Sequence, residues 1–293
     1  MSRPSFLLPL AALLLLAPAC ALLDQVAPAA DGQGVRVRSP KGYLLIVGGG
    51  GTTADMYQRA IELGGGPTAT LVVFPQASEL ADTGESSAQA WREAGIDPKN
   101  ARVADTKDEA AALALVEQSS IIWFPGGVQS RLMDALGTKL PAAIRKRYQE
   151  GAVIGGTSAG AAVMSGVMLT GEIEGDSPED DGLGFVRAQT VDTKSGLGLV
   201  DWAIVDQHFV RRKRFNRMLS CVLDHPHLVG IGIDERTAIL VHGRGFEVIG
   251  ESNVLVLDAR HASKIEAKKG ERPTAEGLRL SLLAHGMNFD ADD

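Results

Sequence analysis

Val153-Ile-Gly-Gly-Thr-Ser-Ala-Gly-Ala-Ala162 decides the fold of this chain. Within it, Gly156-Thr-Ser-Ala-Gly160 reads G-x-S-x-G. A short apolar run precedes it and small apolar residues follow, which is the order strand, tight turn, helix. Such a turn pushes the serine hydroxyl out of the backbone envelope at a helix N-terminus, and glycine flanks it where a Cβ would clash. Ser158 is therefore a candidate nucleophile. Glycine-rich strand-to-helix turns also bind phosphates or pack tightly, so the context decides.

Outward from that turn, other short apolar runs alternate with helical segments. Tyr43–Val47, Ala69–Phe74 and Ile121–Phe124 read as strands. Asp55–Leu63, Ser87–Ala94, Asp108–Gln118 and Met133–Glu150 read as helices, the last interrupted at Gly137 and Pro141. This alternation predicts an α/β fold, a parallel sheet flanked by helices. The glycines at 48–51, Gly126-Gly127 and Ser158 all follow strands, so they are expected on one rim. Residues 171–194 read as a long loop. Ile231–Ile233, Ala238–Val241, Phe246–Ile249 and Val254–Leu257 predict antiparallel hairpins appended to the sheet.

The 293 residues carry a net charge of −7 and are 45% hydrophobic. That suits one large domain with a sizeable core and argues against a nucleic-acid partner. Arg3, the apolar run Phe6–Ala17 and the small residues Ala17-Pro-Ala19 form a signal-peptide pattern over residues 1–19. Cleavage there leaves Cys20 first, a lipidation candidate, so a lipid-anchored or membrane-tethered product and a freely secreted or periplasmic one are both expected. Residues 20–40 read as a tether, and 41–293 as a single domain. Cys221 sits in an apolar stretch and reads as a buried thiol. No Cys/His metal spacing occurs, and the reading needs neither a metal nor another cofactor. A homodimer is compatible with it.

A serine needs a base and usually a carboxylate to orient that base. His208, in Ile204-Val-Asp-Gln-His-Phe209, follows an apolar strand beside Asp206 and Gln207. Asp234 and Glu235 follow the apolar Ile231-Gly-Ile233, and either fits the orienting role. The basic run Arg211-Arg-Lys-Arg-Phe-Asn-Arg217 suits a carboxylate-bearing substrate; which arginines face the site depends on where its helix starts. Two backbone donors are needed for an oxyanion: Ala159 supplies one, and the Gly126-Gly127 turn is the best source of the other.

Four segments together resemble the cyanophycinases, in a serine peptidase family that also contains aspartyl dipeptidases. They are Phe124-Pro-Gly-Gly-Val-Gln129, Gly155-Gly-Thr-Ser-Ala-Gly-Ala161, Val205–Arg217 and Gly230-Ile-Gly-Ile-Asp-Glu235. The resemblance implies a flavodoxin-like fold related to class I glutamine amidotransferases. It implies Ser158 as nucleophile, His208 as base and Glu235 as the orienting acid. Gln129, Asp206, Gln207, Arg212, Arg214 and Arg217 match substrate-pocket positions. The implied activity is cleavage of cyanophycin, multi-L-arginyl-poly-L-aspartate, to β-Asp-Arg dipeptides by an exopeptidase. Val128 and the acid-free Gly48-Gly-Gly-Gly-Thr-Thr53 depart from the family pattern. They keep open a peptidase for other acidic peptides, alongside a non-catalytic surface-binding module.

Overall fold

The computed structural model describes residues 40–173 and 186–293. The signal pattern at 1–19, Cys20 and the tether up to residue 39 lie outside the described residues.

Five short strands form the parallel core: β1 (Tyr43–Val47), β2 (Leu71–Val73), β3 (Ala101–Val103), β4 (Ile121–Phe124) and β5 (Val153–Thr157). They lie in the order β3-β2-β4-β5-β1. Helices α1 (Ala54–Leu63), α2 (Thr83–Glu93), α3 (Glu109–Gln118), α4 (Gln129–Leu136) and α5 (Lys139–Glu150) fall between them. Pro141 does not interrupt α5, because it sits in the first turn, where its missing N–H costs no hydrogen bond.

Alternate residues on each strand point to opposite faces. Leu45, Val47, Val73 and Trp123 pack with Met56, Ala60 and Trp91 of α1 and α2. Leu44, Ile46, Val72, Phe124 and Ile154 pack with Val116, Leu132, Ile144 and Tyr148 of α3–α5. Each fully buried aliphatic side chain of this kind contributes about 1.5–3 kcal/mol of transfer free energy. Both faces of β1, β2, β4 and β5 are covered, which is why these four read as apolar runs.

After β5 comes the four-residue α6 (Ala159–Ala162), and then a pair, β6 (Val167–Ile173) and β7 (Val191–Ser195). The sequence reading placed a loop over 171–194; its two ends are strand, and 174–185 lie outside the described residues. Next come β8 (Ala203–Gln207), α7 (Phe215–Asp224), β9 (Val229–Ile233), β10 (Thr237–His242), β11 (Gly245–Gly250) and β12 (Val254–Asp258). The chain closes with β13 (Ser263–Glu266), β14 (Thr274–Glu276), β15 (Arg279–Leu283) and β16 (Asn288–Asp290). The hairpin β10–β11 extends the large sheet antiparallel beyond β1, with β16 at its edge. β9 and β12 enter a second sheet instead, in the order β15-β12-β9-β8. There β8 and β9 run parallel. Val205, Ile231, Ile233 and Val256 of this sheet join the same core cluster as Ile46 and Phe124.

Helix α6 lies so close to β4 that a Cβ on Gly160 would stand 2.0 Å from the Phe124 carbonyl oxygen. We expect Gly160→Ala to destabilise the protein by about 2 kcal/mol. Overpacking costs about 1–3 kcal/mol and outweighs a helix-propensity gain of about 1 kcal/mol, since the obstacle is backbone. A urea midpoint equal to that of the parent protein would contradict this packing.

Candidate active site

Strand register brings the candidate residues together. In the large sheet Val47 pairs with Thr157, so Gly48 and Ser158 leave adjacent parallel strands at one level. Phe124 pairs with Gly156, so the Gly126-Gly127 turn emerges on the other side of Ser158. In the second sheet Gln207 pairs with Ile233, so His208 and Asp234 also emerge side by side. The serine comes from one sheet; the histidine and both acids come from the other.

Ser158 is the N-cap of α6, with φ 55° and ψ −114°. This left-handed conformation costs a non-glycine residue about 1–3 kcal/mol. The bend turns the side chain toward His208, whose Nε2 lies 3.0 Å from Ser158 Oγ. His208 Nδ1 lies 2.7 Å from Glu235 Oε1. A carboxylate can only accept, so Nδ1 carries the proton and Nε2 accepts from the serine hydroxyl. His208 is buried and Glu235 half-buried. Burial holds the His208 pKa below its ordinary 6.5; the Glu235 hydrogen bond opposes this, and the Arg212 and Arg214 charges reinforce it. A neutral imidazole bonded to a serine hydroxyl and a carboxylate can remove the hydroxyl proton while oxygen attacks an electrophilic carbon.

The glycine turn after β1 packs against this pair. A Cβ on Gly49 would stand 2.3 Å from His208 Cε1, and one on Gly50 2.6 Å from Glu235 Cβ. Four consecutive glycines after a strand were the sequence signal for this contact, though they named no partner.

Ala159 follows the serine as the first residue of α6, where a backbone N–H has no intrahelical acceptor. A Cβ on Gly126 would lie 3.3 Å from Ser158 Cβ, so this turn does adjoin the serine. Gly127 packs on the 77–78 backbone, and Val128 N donates to the Ala77 carbonyl at 2.9 Å. Val128 itself is 51% exposed.

The proposed pocket residues divide by burial. Helix α7 begins only at Phe215, after Lys213 at φ 54°. Arg211, Arg212 and Lys213 are therefore exposed, while Arg214 and Arg217 turn inward. Arg217 Nε donates to Asp206 Oδ2 at 2.7 Å and its Nη2 bonds Asp206 Oδ1. Arg214 Nη1 donates to the Gln207 carbonyl at 2.6 Å. Asp206, Gln207, Arg214 and Arg217 thus form a buried polar cluster, and Arg212 is the exposed one of the three proposed pocket arginines. Gln129 is also buried; its Nε2 donates to the Leu169 and Thr170 carbonyls at 2.9 and 2.8 Å and ties α4 to β6.

Of the two acids, Glu235 takes the imidazole. The Asp234 carboxylate turns the other way, to the Val210 and Arg211 amides. Among the described residues no cluster of three or more His, Cys, Asp or Glu could hold a metal.

Residues 44–249 match peptidase family S51. The cyanophycinase of Geminocystis herdmanii is 36% identical over 84% of this chain and 93% of its own length. That of Trichormus variabilis is 31% identical over 89% and 91% respectively. In fold, the chain is similar to a peptidase from an acI-B1 Actinobacterium, with a TM-score of 0.62 and 23% identity over 85% of this chain and 96% of that one.

Three outcomes follow from the geometry. The His208 imidazole should titrate below 6.5 by NMR, and Glu235→Gln should lower its pKa further, since the lost hydrogen bond favoured the cation; an upward shift would contradict the arrangement. Asp206→Ala, which strips a carboxylate from buried Arg217, should cost about 3–5 kcal/mol in equilibrium unfolding.

Proposed function

We propose a mechanism and a substrate from this starting point: the chain belongs to peptidase family S51 and is a serine-type peptidase. Ser158 Oγ attacks the scissile carbonyl while His208 Nε2 takes its proton. Glu235 holds the imidazole in the required tautomer and stabilises the imidazolium. The Ala159 amide and the Gly126-Gly127 turn receive the developing oxyanion. His208 then gives its proton to the leaving amine, and water, activated by the same imidazole, releases the acyl group from Ser158. The 3.0 Å and 2.7 Å contacts that join Ser158, His208 and Glu235 carry this reading.

The substrate we propose is cyanophycin, cleaved from a chain end to β-Asp-Arg dipeptides. Its support is the cyanophycinases that match most of this chain at 36% and 31% identity. Arg212 suits the role of binding a substrate carboxylate, because it is exposed and its charge reaches His208. One observation favours a second substrate class: exposed Val128, two residues after the Gly126 that adjoins Ser158, offers no charge to a cationic arginine side chain. Other aspartyl or acidic peptides are that alternative. The signal pattern at residues 1–19 supports export of the enzyme, with Cys20 as its lipid attachment point.

Purified cyanophycin should yield β-Asp-Arg dipeptides by mass spectrometry, and Ser158→Ala should lose at least about 10³-fold in kcat. Full activity in that variant would overturn the mechanism. Turnover of small α- or β-aspartyl peptides with none of the polymer would select the second substrate class.

A further inference from the structure

The turn that carries His208 is strained, and its later residues face solvent. His208 has φ 49°, a left-handed conformation that non-glycine residues adopt at a cost. Phe209 is buried in the core, but Val210 is 53% exposed and Arg211 is also exposed, so apolar packing does little to hold the turn beyond Phe209.

Its backbone donors can be followed one by one. His208 N donates to the Gly48 carbonyl at 2.7 Å, and Phe209 N to the Ile233 carbonyl at 3.2 Å. Arg212, Lys213 and Arg214 close the turn on the carbonyls of His208, Val210 and Phe209. Val210 N and Arg211 N, between these, donate instead to one side-chain atom, Asp234 Oδ1, at 3.1 and 2.9 Å. Ser252 Oγ donates to the other oxygen of that carboxylate at 2.8 Å. Asp234 is 8% exposed, so its charge is held by these three donors with little help from water.

We propose that Asp234 is a positioning residue for His208: its carboxylate clamps the amides of Val210 and Arg211 and so fixes the turn on which the imidazole is presented to Ser158. This rests on the reading of Ser158, His208 and Glu235 as the reacting group. Adjacent acids then divide the work. Glu235 holds the ring, and Asp234 holds the backbone that carries the ring. A displacement of the base by about 1 Å is enough to cost on the order of 10²-fold in rate.

The test is the rate at which an alkyl fluorophosphonate labels Ser158, which needs no assumption about the natural substrate. Asp234→Ala should slow labelling by about 10–100-fold while the endpoint stays at one label per folded chain. Asp234→Asn keeps an acceptor oxygen at the same place and should stay within about threefold of the parent. A parent-like rate in Asp234→Ala, or an Asn variant as slow as Ala, would overturn the proposal. If the Ala variant does not fold, Asp234→Glu replaces it. That residue keeps the charge but displaces the acceptor, so it should label at least about tenfold more slowly than Asn; equal rates would refute the clamp. Failure of the parent protein to label at Ser158 would instead sink the reacting group itself, and is thereby told apart.

Discussion

The site depends on the absence of side chains at Gly48, Gly49 and Gly50. This turn fills the seam between the two sheets. The Val47 carbonyl just before it accepts Ser158 N at 3.1 Å, the Gly48 carbonyl accepts His208 N at 2.7 Å, and the Gly49 carbonyl accepts Arg236 N at 2.8 Å. One stretch of backbone therefore fixes the starting points of the serine, the histidine and the residue after Glu235. A Cβ at Gly48 would lie 2.2 Å from the Asp234 carbonyl oxygen, so the seam could not close around any larger residue. The separation of Ser158 from His208 is set by backbone contact and not by two long side chains finding each other.

Strain concentrates where that contact is made. Ser158, His208 and Arg236 have φ of 55°, 49° and 54°. Each costs about 1–3 kcal/mol, a total comparable to a large part of the stability of a domain. The fold can hold them because each has its N–H bonded to a carbonyl of residues 47–49. Glu235 lies between strained Arg236 and anchored Asp234, so the backbone that carries its carboxylate is fixed on both sides.

Much of this was legible in the sequence, for physical reasons that also explain what was not. β1, β4 and β5 are buried on both faces and read as unbroken apolar runs. The rule that parallel strands present their C-terminal ends on one rim then placed Gly48, Gly126 and Ser158 together. β3 escaped because it is an edge strand of three residues, two of them exposed. The second sheet escaped because β9, Val-Gly-Ile-Gly-Ile, carries no signal of which neighbour it pairs with. The choice between Asp234 and Glu235 was also beyond a residue-level reading. Successive residues at a strand end point to opposite sides, and only the positions of His208 and Val210 in space decide which acid meets which group. The inward-facing arginines turned on a backbone detail, the left-handed Lys213, which starts α7 at Phe215 and leaves Arg212 outside.

The charges around His208 follow from this last point. Arg214 and Arg212 both disfavour the imidazolium, and burial disfavours it more strongly, so the resting base is neutral and ready. In the proposed mechanism the same field opposes the cation that forms once the serine proton arrives. Glu235 offsets this through a hydrogen bond that strengthens as the ring becomes charged, which is stabilisation of the reacting state beyond that of the resting state. Asp206, bonded to Arg217 and 3.7 Å from Arg214, pairs with the buried guanidinium groups. On the proposed mechanism the two acids act at different moments: Asp206 offsets the buried Arg214 and Arg217 charges at rest, and Glu235 stabilises the histidine when it becomes a cation.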